Sequence, residues 1–284
     1  MRIALIGAAG QLGTDMLPVL GEDVVPLGHD AIEVTSIESV HAALSAAEPE
    51  IVINLAAYNL VDRAEQEPEQ AFAVNADGPR NLARWCESRG IALLHVSTDY
   101  VFGQDRARSE PYRESDATGA LSVYGQSKLT GEEAVAENCR RHLIVRTCGL
   151  YGHAALKGAG KGNFVETMLR LGGERDSLGV VDDQRCTPTS TEDLARGIAA
   201  LVETQEWGTY HVTNSGSMTW CEFATEILGQ SGMSTIVRPV SSAEFGAAAE
   251  RPAYSVLCNT RFEDVTGFEL PHWKDALARY LGGR

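Results

Sequence analysis

Long apolar runs are absent from this 284-residue chain. No segment approaches the roughly 18 apolar residues of a membrane helix, and the opening run Ile3-Ala4-Leu5-Ile6 is too short for the apolar core of a secretory leader. No membrane partner and a cytoplasmic location are the expectations. Positive charge is also scarce: 24 Lys and Arg stand against 39 Asp and Glu, a formal net charge of −15. That balance argues against nucleic acid, whose phosphate backbone is held by a concentrated basic face. It leaves room for an anionic small ligand, because a few backbone N–H groups at a helix N-terminus hold a phosphate. The six cysteines, Cys86, Cys139, Cys148, Cys186, Cys221 and Cys258, form no C-x-x-C pair and no Cys/His cluster at metal spacing. They are expected to be reduced thiols, mostly small core residues, and no metal site is expected. Internal repeats and low-complexity segments are missing too.

What is present is a globular composition, 44% hydrophobic and 22% charged, with enough chain to bury a sizeable core. Short apolar runs at residues 2–7, Val24–Leu27, Ile51–Ala56, Ile91–Ser97 and Leu143–Thr147 alternate with helical stretches at 11–20, Ile37–Ala47, Pro68–Arg89 and Ser127–Glu137. Strands buried on both faces read this way, so the fold class is α/β, a Rossmann-type doubly wound parallel sheet. After about residue 150 the alternation weakens. Gly158–Gly162 reads as a glycine-rich loop before a helix at Asn163–Leu171, Val180–Thr189 as an irregular connection, and Thr191–Glu203 as a helix. The predicted organisation is a dinucleotide-binding domain over 1–150 and 188–215, and a smaller, discontinuous substrate lobe over 151–187 and 216–284.

The first strand runs into Gly7-Ala8-Ala9-Gly10-Gln11-Leu12-Gly13 and then a helix. In such a turn the first glycine permits the tight bend, the second the close approach of a pyrophosphate, and the third the packing of helix on strand. Gly7, Gly10, Gln11, Leu12 and Gly13 are therefore candidate cofactor residues. After the second strand, Asp30 stands where an acidic side chain would bond a ribose 2′-hydroxyl, while the neighbouring His29 could face a 2′-phosphate, so NADH and NADPH both stay open. After the third strand, Ala56, Ala57 and Asn59 lie where an open α/β sheet binds its ligand.

Tyr124-Gly125-Gln126-Ser127-Lys128 places Tyr124 and Lys128 one helical turn apart on one face. A phenol with a pKa near 10 is a poor relay at neutral pH, and a nearby ammonium lowers it. Tyr124 is the candidate proton donor to a carbonyl that receives hydride, with Lys128 holding the nicotinamide ribose and tuning the phenol. Thr98, in Ser97-Thr98-Asp99-Tyr100 at a strand end, is the candidate hydroxyl that polarises the same carbonyl; Ser97 is the alternative if strand parity points it inward.

These residues resemble the extended short-chain dehydrogenase/reductase superfamily and, within it, the dTDP-4-dehydrorhamnose reductase family. The marks span nearly the whole chain: Gly7–Gly13 with Gln11, Ala56-Ala57 followed by Val61–Glu65, Ser97–Gly103, Val123–Lys128, Gly162-Asn163-Phe164, Asp183-Gln184, Thr187–Thr189, and Arg251-Pro252 with Ser255 and Leu257. The resemblance implies reduction of the C4 ketone of dTDP-4-dehydro-6-deoxy-L-mannose by NADPH or NADH, with Thr98, Tyr124 and Lys128 as the catalytic trio. It also implies a dTDP-linked deoxysugar as partner, faced by Tyr100 and Asn163, with Arg251 toward its diphosphate or in a surface salt bridge, and it allows a homodimer. Three departures stand out. Cys148-Gly149 stands where relatives commonly carry a serine-tryptophan pair after Arg-Thr, so an aromatic wall is missing there or supplied from elsewhere; Cys186 stands where glycine is usual; Asp15 replaces a glutamate of magnesium-linked dimers, so that metal is not expected. Two other readings share the scaffold. One is a non-catalytic NADP-binding regulatory subunit like the methionine adenosyltransferase beta subunit, against which the intact trio counts. The other is an epimerase or dehydratase: Asp99-Tyr100 counts against dehydration, which commonly recruits an acidic pair, and an epimerase would keep its cofactor through a full cycle where a reductase must exchange it.

Overall fold

The computed structural model describes residues 1–157 and 162–284. Of the glycine-rich loop expected at 158–162, all but Gly162 lies outside the described residues. Six strands, β1 (Ile3–Ile6), β2 (Val24–Leu27), β3 (Ile51–Asn54), β4 (Ala92–Thr98), β5 (His142–Thr147) and, after two short strands, β8 (Gly208–His211), form one parallel sheet in the order β2-β1-β3-β4-β5-β8. Strand side chains alternate between faces, and here both faces are covered. Ile3, Leu5, Ile51, Ile53, Leu143 and Val145 pack with the helices Gln11–Leu20 and Thr191–Thr204. Ala4, Ile6, Val52, Leu93 and Ile144 pack with the helices Ile37–Ala47 and Gly78–Arg89. The strand order reverses between β1 and β3, and at such a switch point open α/β sheets bind ligands beyond the strands' carboxyl ends.

The helix expected over 68–89 is interrupted. Pro68–Phe72 and Gly78–Arg89 are α-helical, and Ala73–Asp77 between them is a π turn. Pro79 has no N–H to offer the Asn75 carbonyl, so an ordinary turn cannot be completed there. The freed carbonyl lies against Gly131 of the helix Val123–Asn138, where a Cβ would stand 2.0 Å from it.

A third core belongs to the later chain: Tyr151, Val165, Met168, Leu178, Phe223, Ile227, Trp273 and Tyr280 pack together away from the sheet. Two small sheets serve it, parallel β6 (Ser177–Val181) with β10 (Ile236–Val240), and antiparallel β7 (Arg185–Cys186) with β9 (Met218–Thr219). Part of the connection expected to be irregular at 180–189 is thus strand. The segment around the helix Thr260–Thr266 departs from the expected lobe: Phe262 and Leu270 join the sheet core, seated in the space left by Gly197.

Candidate active site

Gly7 ends β1 with φ +80°, and a Cβ on it would press the Leu55 and Ala56 backbone at 3.1 Å. At Gly13 a Cβ would stand 2.5 Å from the Gly7 carbonyl. Both glycines are thus required by the fold itself. Gly10 is different: a Cβ there meets only the Gly7 oxygen, at 3.3 Å. It precedes a helix with no side-chain cap and no first-turn acid, so the first N–H groups of that helix are not taken by a side chain. This is a cradle that suits a pyrophosphate. Leu12 is buried in the core, so only its backbone is available to a ligand. The Gln11 side chain is a clasp: it donates to the Gly162 carbonyl and accepts from Gly152 N–H and Asn163 Nδ2, each at 3.0 Å. Asp30, Ala57 and Asn59 are exposed beyond the ends of β2 and β3.

Ser122 caps the helix Val123–Asn138, which brings Tyr124 and Lys128 to the ends of β4 and β5. Gly125 between them permits the approach, since a Cβ there would lie 2.4 Å from the Tyr100 carbonyl. Thr98 points toward Tyr124. Its Oγ1 accepts from Tyr100 N–H (3.2 Å) and donates to Asp99 Oδ1 (3.1 Å). Ser97 is buried with its hydroxyl unpartnered. Burial pushes the half-buried Tyr124 phenol up to about 12, and a hydrogen bond with Thr98 draws it partly back. Lys128, expected to lower the phenol, is turned elsewhere: its Nζ donates to the Val96 carbonyl (2.7 Å) and lies 3.3 Å from His95 Nε2. A buried amine needs an acceptor, and the edge of β4 supplies it. Burial brings Lys128 down to about 8, opposed by the Glu132 charge one turn along.

Sequence reasoning missed the residues that hold this set. Asp99 is buried, accepts from Ser255 Oγ at 2.6 Å, and is raised to about 6 by burial. Asn75, in the π turn, accepts from Tyr58 N–H (2.8 Å) and donates to Ser127 Oγ (2.9 Å), tying the loop after β3 to the Tyr124 helix. Glu132 forms a buried bidentate pair with Arg146 of β5 (2.7 and 3.0 Å), which keeps two charges satisfied beside Lys128. No short-range pattern announces these contacts; a proline following Asn75 by four residues inside a helical run is the one local signal.

A cavity of about 830 Å³ adjoins the site, lined by Tyr100, Phe164, Trp220, Phe245 and Arg251 among others. Tyr100 meets Tyr124 edge to face at 5.8 Å, linking the cavity to the reactive phenol. Trp220 reaches over Gly149, next to Cys148, and packs on Phe164 at 4.7 Å, so an aromatic wall comes from another helix. Arg251 lines the cavity, but its fork is taken by Asp62 at 2.7 and 3.0 Å. Asn163, expected to face a sugar nucleotide, is spent internally: it caps the helix Phe164–Glu174 through Glu166 N–H and donates to Gln11 and Tyr280. Asp15 accepts from the Thr191 hydroxyl.

A dinucleotide cradle at the switch point of a doubly wound sheet, one strand away from a tyrosine with its lysine, defines a nicotinamide-dependent oxidoreductase of the short-chain type. Residues 1–283 match the family described as RmlD substrate binding domain, and the chain belongs to that family. It is 42% identical over 286 residues to the dTDP-4-dehydrorhamnose reductase of Streptomyces griseus, covering 97% of this chain and 91% of that one. It is 41% identical to a probable dTDP-4,6-dihydroxy-2-methyloxan-3-one 4-ketoreductase of Streptomyces antibioticus, covering 98% and 93%. The crystal structure of dTDP-4-dehydrorhamnose reductase from Bacillus anthracis in complex with NADP superposes with a TM-score of 0.92 at 40% identity, covering 100% of this chain and 99% of that one.

Proposed function

We propose that this protein reduces the C4 ketone of dTDP-4-dehydro-6-deoxy-L-mannose to give dTDP-L-rhamnose, using NADPH or NADH. The observation that carries this reading is Tyr124, close enough to Thr98 for that hydroxyl to draw its pKa down and in edge contact with Tyr100, which lines the cavity, with Lys128 one turn away. The NADP complex of the Bacillus anthracis relative favours NADPH. Gly7, Gly10 and Gly13, with the N–H groups of Gln11, Leu12 and Gly13, would hold the pyrophosphate; Asp30 and the Ala56, Ala57 and Asn59 backbone would line the rest of the cofactor's path. Bound there, the reduced nicotinamide supplies hydride to the ketone carbon. Tyr124 gives its proton to the ketone oxygen as charge develops, and a phenol held near 12 keeps that proton until it is needed. Thr98 orients the oxygen, and Lys128 binds the ribose side. Tyr100 faces the sugar, while Arg251 reaches a diphosphate only by exchanging Asp62 for it.

The same reading assigns 1–150 with 188–215 to the cofactor domain and 151–187 with 216–284 to the substrate lobe, less the segment near Phe262 that returns to the sheet. It places the protein in the cytoplasm; among the described residues no helix is long and apolar enough to cross a membrane and all six cysteines are free. A homodimer is the assembly that light scattering would decide. Ketone-dependent loss of NADPH or NADH absorbance, with the substrate generated in situ, tests the function and the cofactor preference together. Clear NADPH binding with no oxidation on this or any related 4-ketosugar would overturn it in favour of a binding subunit.

A further inference from the structure

Three hydrogen bonds in series run from the loop after β3 to Lys128, and a fourth leads on from it to the Val96 carbonyl. The Ala56 N–H donates to Asn54 Oδ1 (3.1 Å), which settles which way the buried amide faces. Asn54 Nδ2 is then the atom directed at His95 Nδ1, also at 3.1 Å. An amide NH₂ only donates, so Nδ1 is the bare nitrogen of the ring. His95 is wholly buried, and burial holds it well below the ordinary imidazole range, so the ring is neutral and its one hydrogen sits on Nε2. That N–H faces Lys128 Nζ at 3.3 Å, and Lys128 already donates to the Val96 carbonyl. An ammonium has no lone pair to receive an N–H, whereas a neutral amine does.

We propose that Asn54 and His95 are positioning residues that bias the protonation state of Lys128: Asn54 holds His95 as the Nε2–H tautomer, and that N–H favours the neutral amine over the ammonium in the unliganded site. To charge Lys128, the ring must move its hydrogen to Nδ1 and the Asn54 amide must turn over, giving up Ala56 N–H. The lysine's proton is thereby tied to the loop that the cofactor would cross. Other groups around Lys128 do not substitute for this relay. Glu132 on its own helix favours the charge but is matched by Arg146 of β5. Asn75 and Ser127, from the π turn side, are neutral and bonded to each other. Glu65 receives Val123 N–H at the helix start, Asp77 pairs with Arg80, and Tyr124 and Asp99 lie at the opposite, substrate end.

The inference rests on reading Lys128 as part of the reactive set, and its test needs no turnover. Full-length protein labelled with ¹⁵N-histidine, without cofactor and above the Lys128 transition near pH 8, should show His95 with a protonated Nε2 and a bare Nδ1. The reverse pattern overturns the proposal. The chain has only four lysines, Lys128, Lys157, Lys161 and Lys274, so ¹³Cε signals follow Lys128 directly. Asn54→Asp accepts from both Ala56 N–H and Nδ1–H, reverses the ring, and should raise the Lys128 midpoint by about one pH unit, tenfold in proton affinity. In a His95→Phe background the same change should move it by less than about a third of that. Equal shifts in both backgrounds would mean that the carboxylate acts through space, and the relay would fall. Absence of ketone reduction, with the Nε2–H ring and the background-dependent shift intact, would sink the function and leave the relay standing.

Discussion

At the carboxyl side of the sheet, Thr98, Asp99, His95 and Lys128 are buried, each hydrogen-bonded to another protein group. Across the cavity the polar groups are held by ion pairs open to water, Arg251 with Asp62 and Arg106 with Glu250, and by Ser242 on Asp183. Burial makes the first set stiff and its ionisation unusual, because a misplaced or unpaired group there costs its full desolvation. Exposed pairs are worth about 0–1 kcal/mol, so the second set can rearrange cheaply. One side of the site is built to repeat a single reaction, the other to adapt to the sugar nucleotide. The sequence kinship to a ketoreductase named for a different dTDP-ketosugar fits that division.

The largest blow to the sheet side is Tyr124→Phe, which should lower kcat by about 10³-fold, within the range of general acid catalysis, while NADPH affinity stays within about twofold. Near-normal turnover would remove the tyrosine from the mechanism. Next is the buried pair: Glu132→Gln, which strands Arg146, should cost about 3–5 kcal/mol in urea unfolding, whereas Glu132→Leu with Arg146→Met should cost far less. Equal losses would show that the pair is not acting as a unit. The glycine turn separates fold from ligand. Gly13→Ala should prevent stable folding, whereas Gly10→Ala should leave thermal unfolding nearly unchanged and weaken NADPH by about tenfold in a titration, the equivalent of one lost charge-assisted bond. Smallest is the lobe side, where Asp62→Asn should change KM for the sugar nucleotide by about fivefold or less and stability by under about 1 kcal/mol. A large stability loss would mean that this side is as rigid as the other.

The sheet half was legible because its signals are local. Gly7 to Gly13 after an apolar strand, and Tyr124 with Lys128 at one helical turn, state their geometry in a few consecutive residues. The supporting shell was not. Asn75, His95 and Glu132 act through partners 52, 33 and 14 residues away, and nothing in their own neighbourhoods marks them. The lobe was harder still: β7 and β9 are two residues each, and β10 is largely exposed and contains Pro239, so neither length nor alternation announces a strand. Asn163 shows the limit of a matching motif, since its amide is consumed in capping a helix and clasping Gln11.

On the proposed mechanism NADPH would supply the hydride that reaches the sugar's C4, and Tyr124 the proton that reaches its oxygen. The most direct test is NADPH carrying deuterium at the transferable nicotinamide position, with the product read by proton NMR. The account predicts deuterium at C4 of the sugar, in one configuration, and none in Tyr124→Phe over the same time. Cofactor oxidised with no label in the sugar, or label appearing equally in the variant, would contradict it.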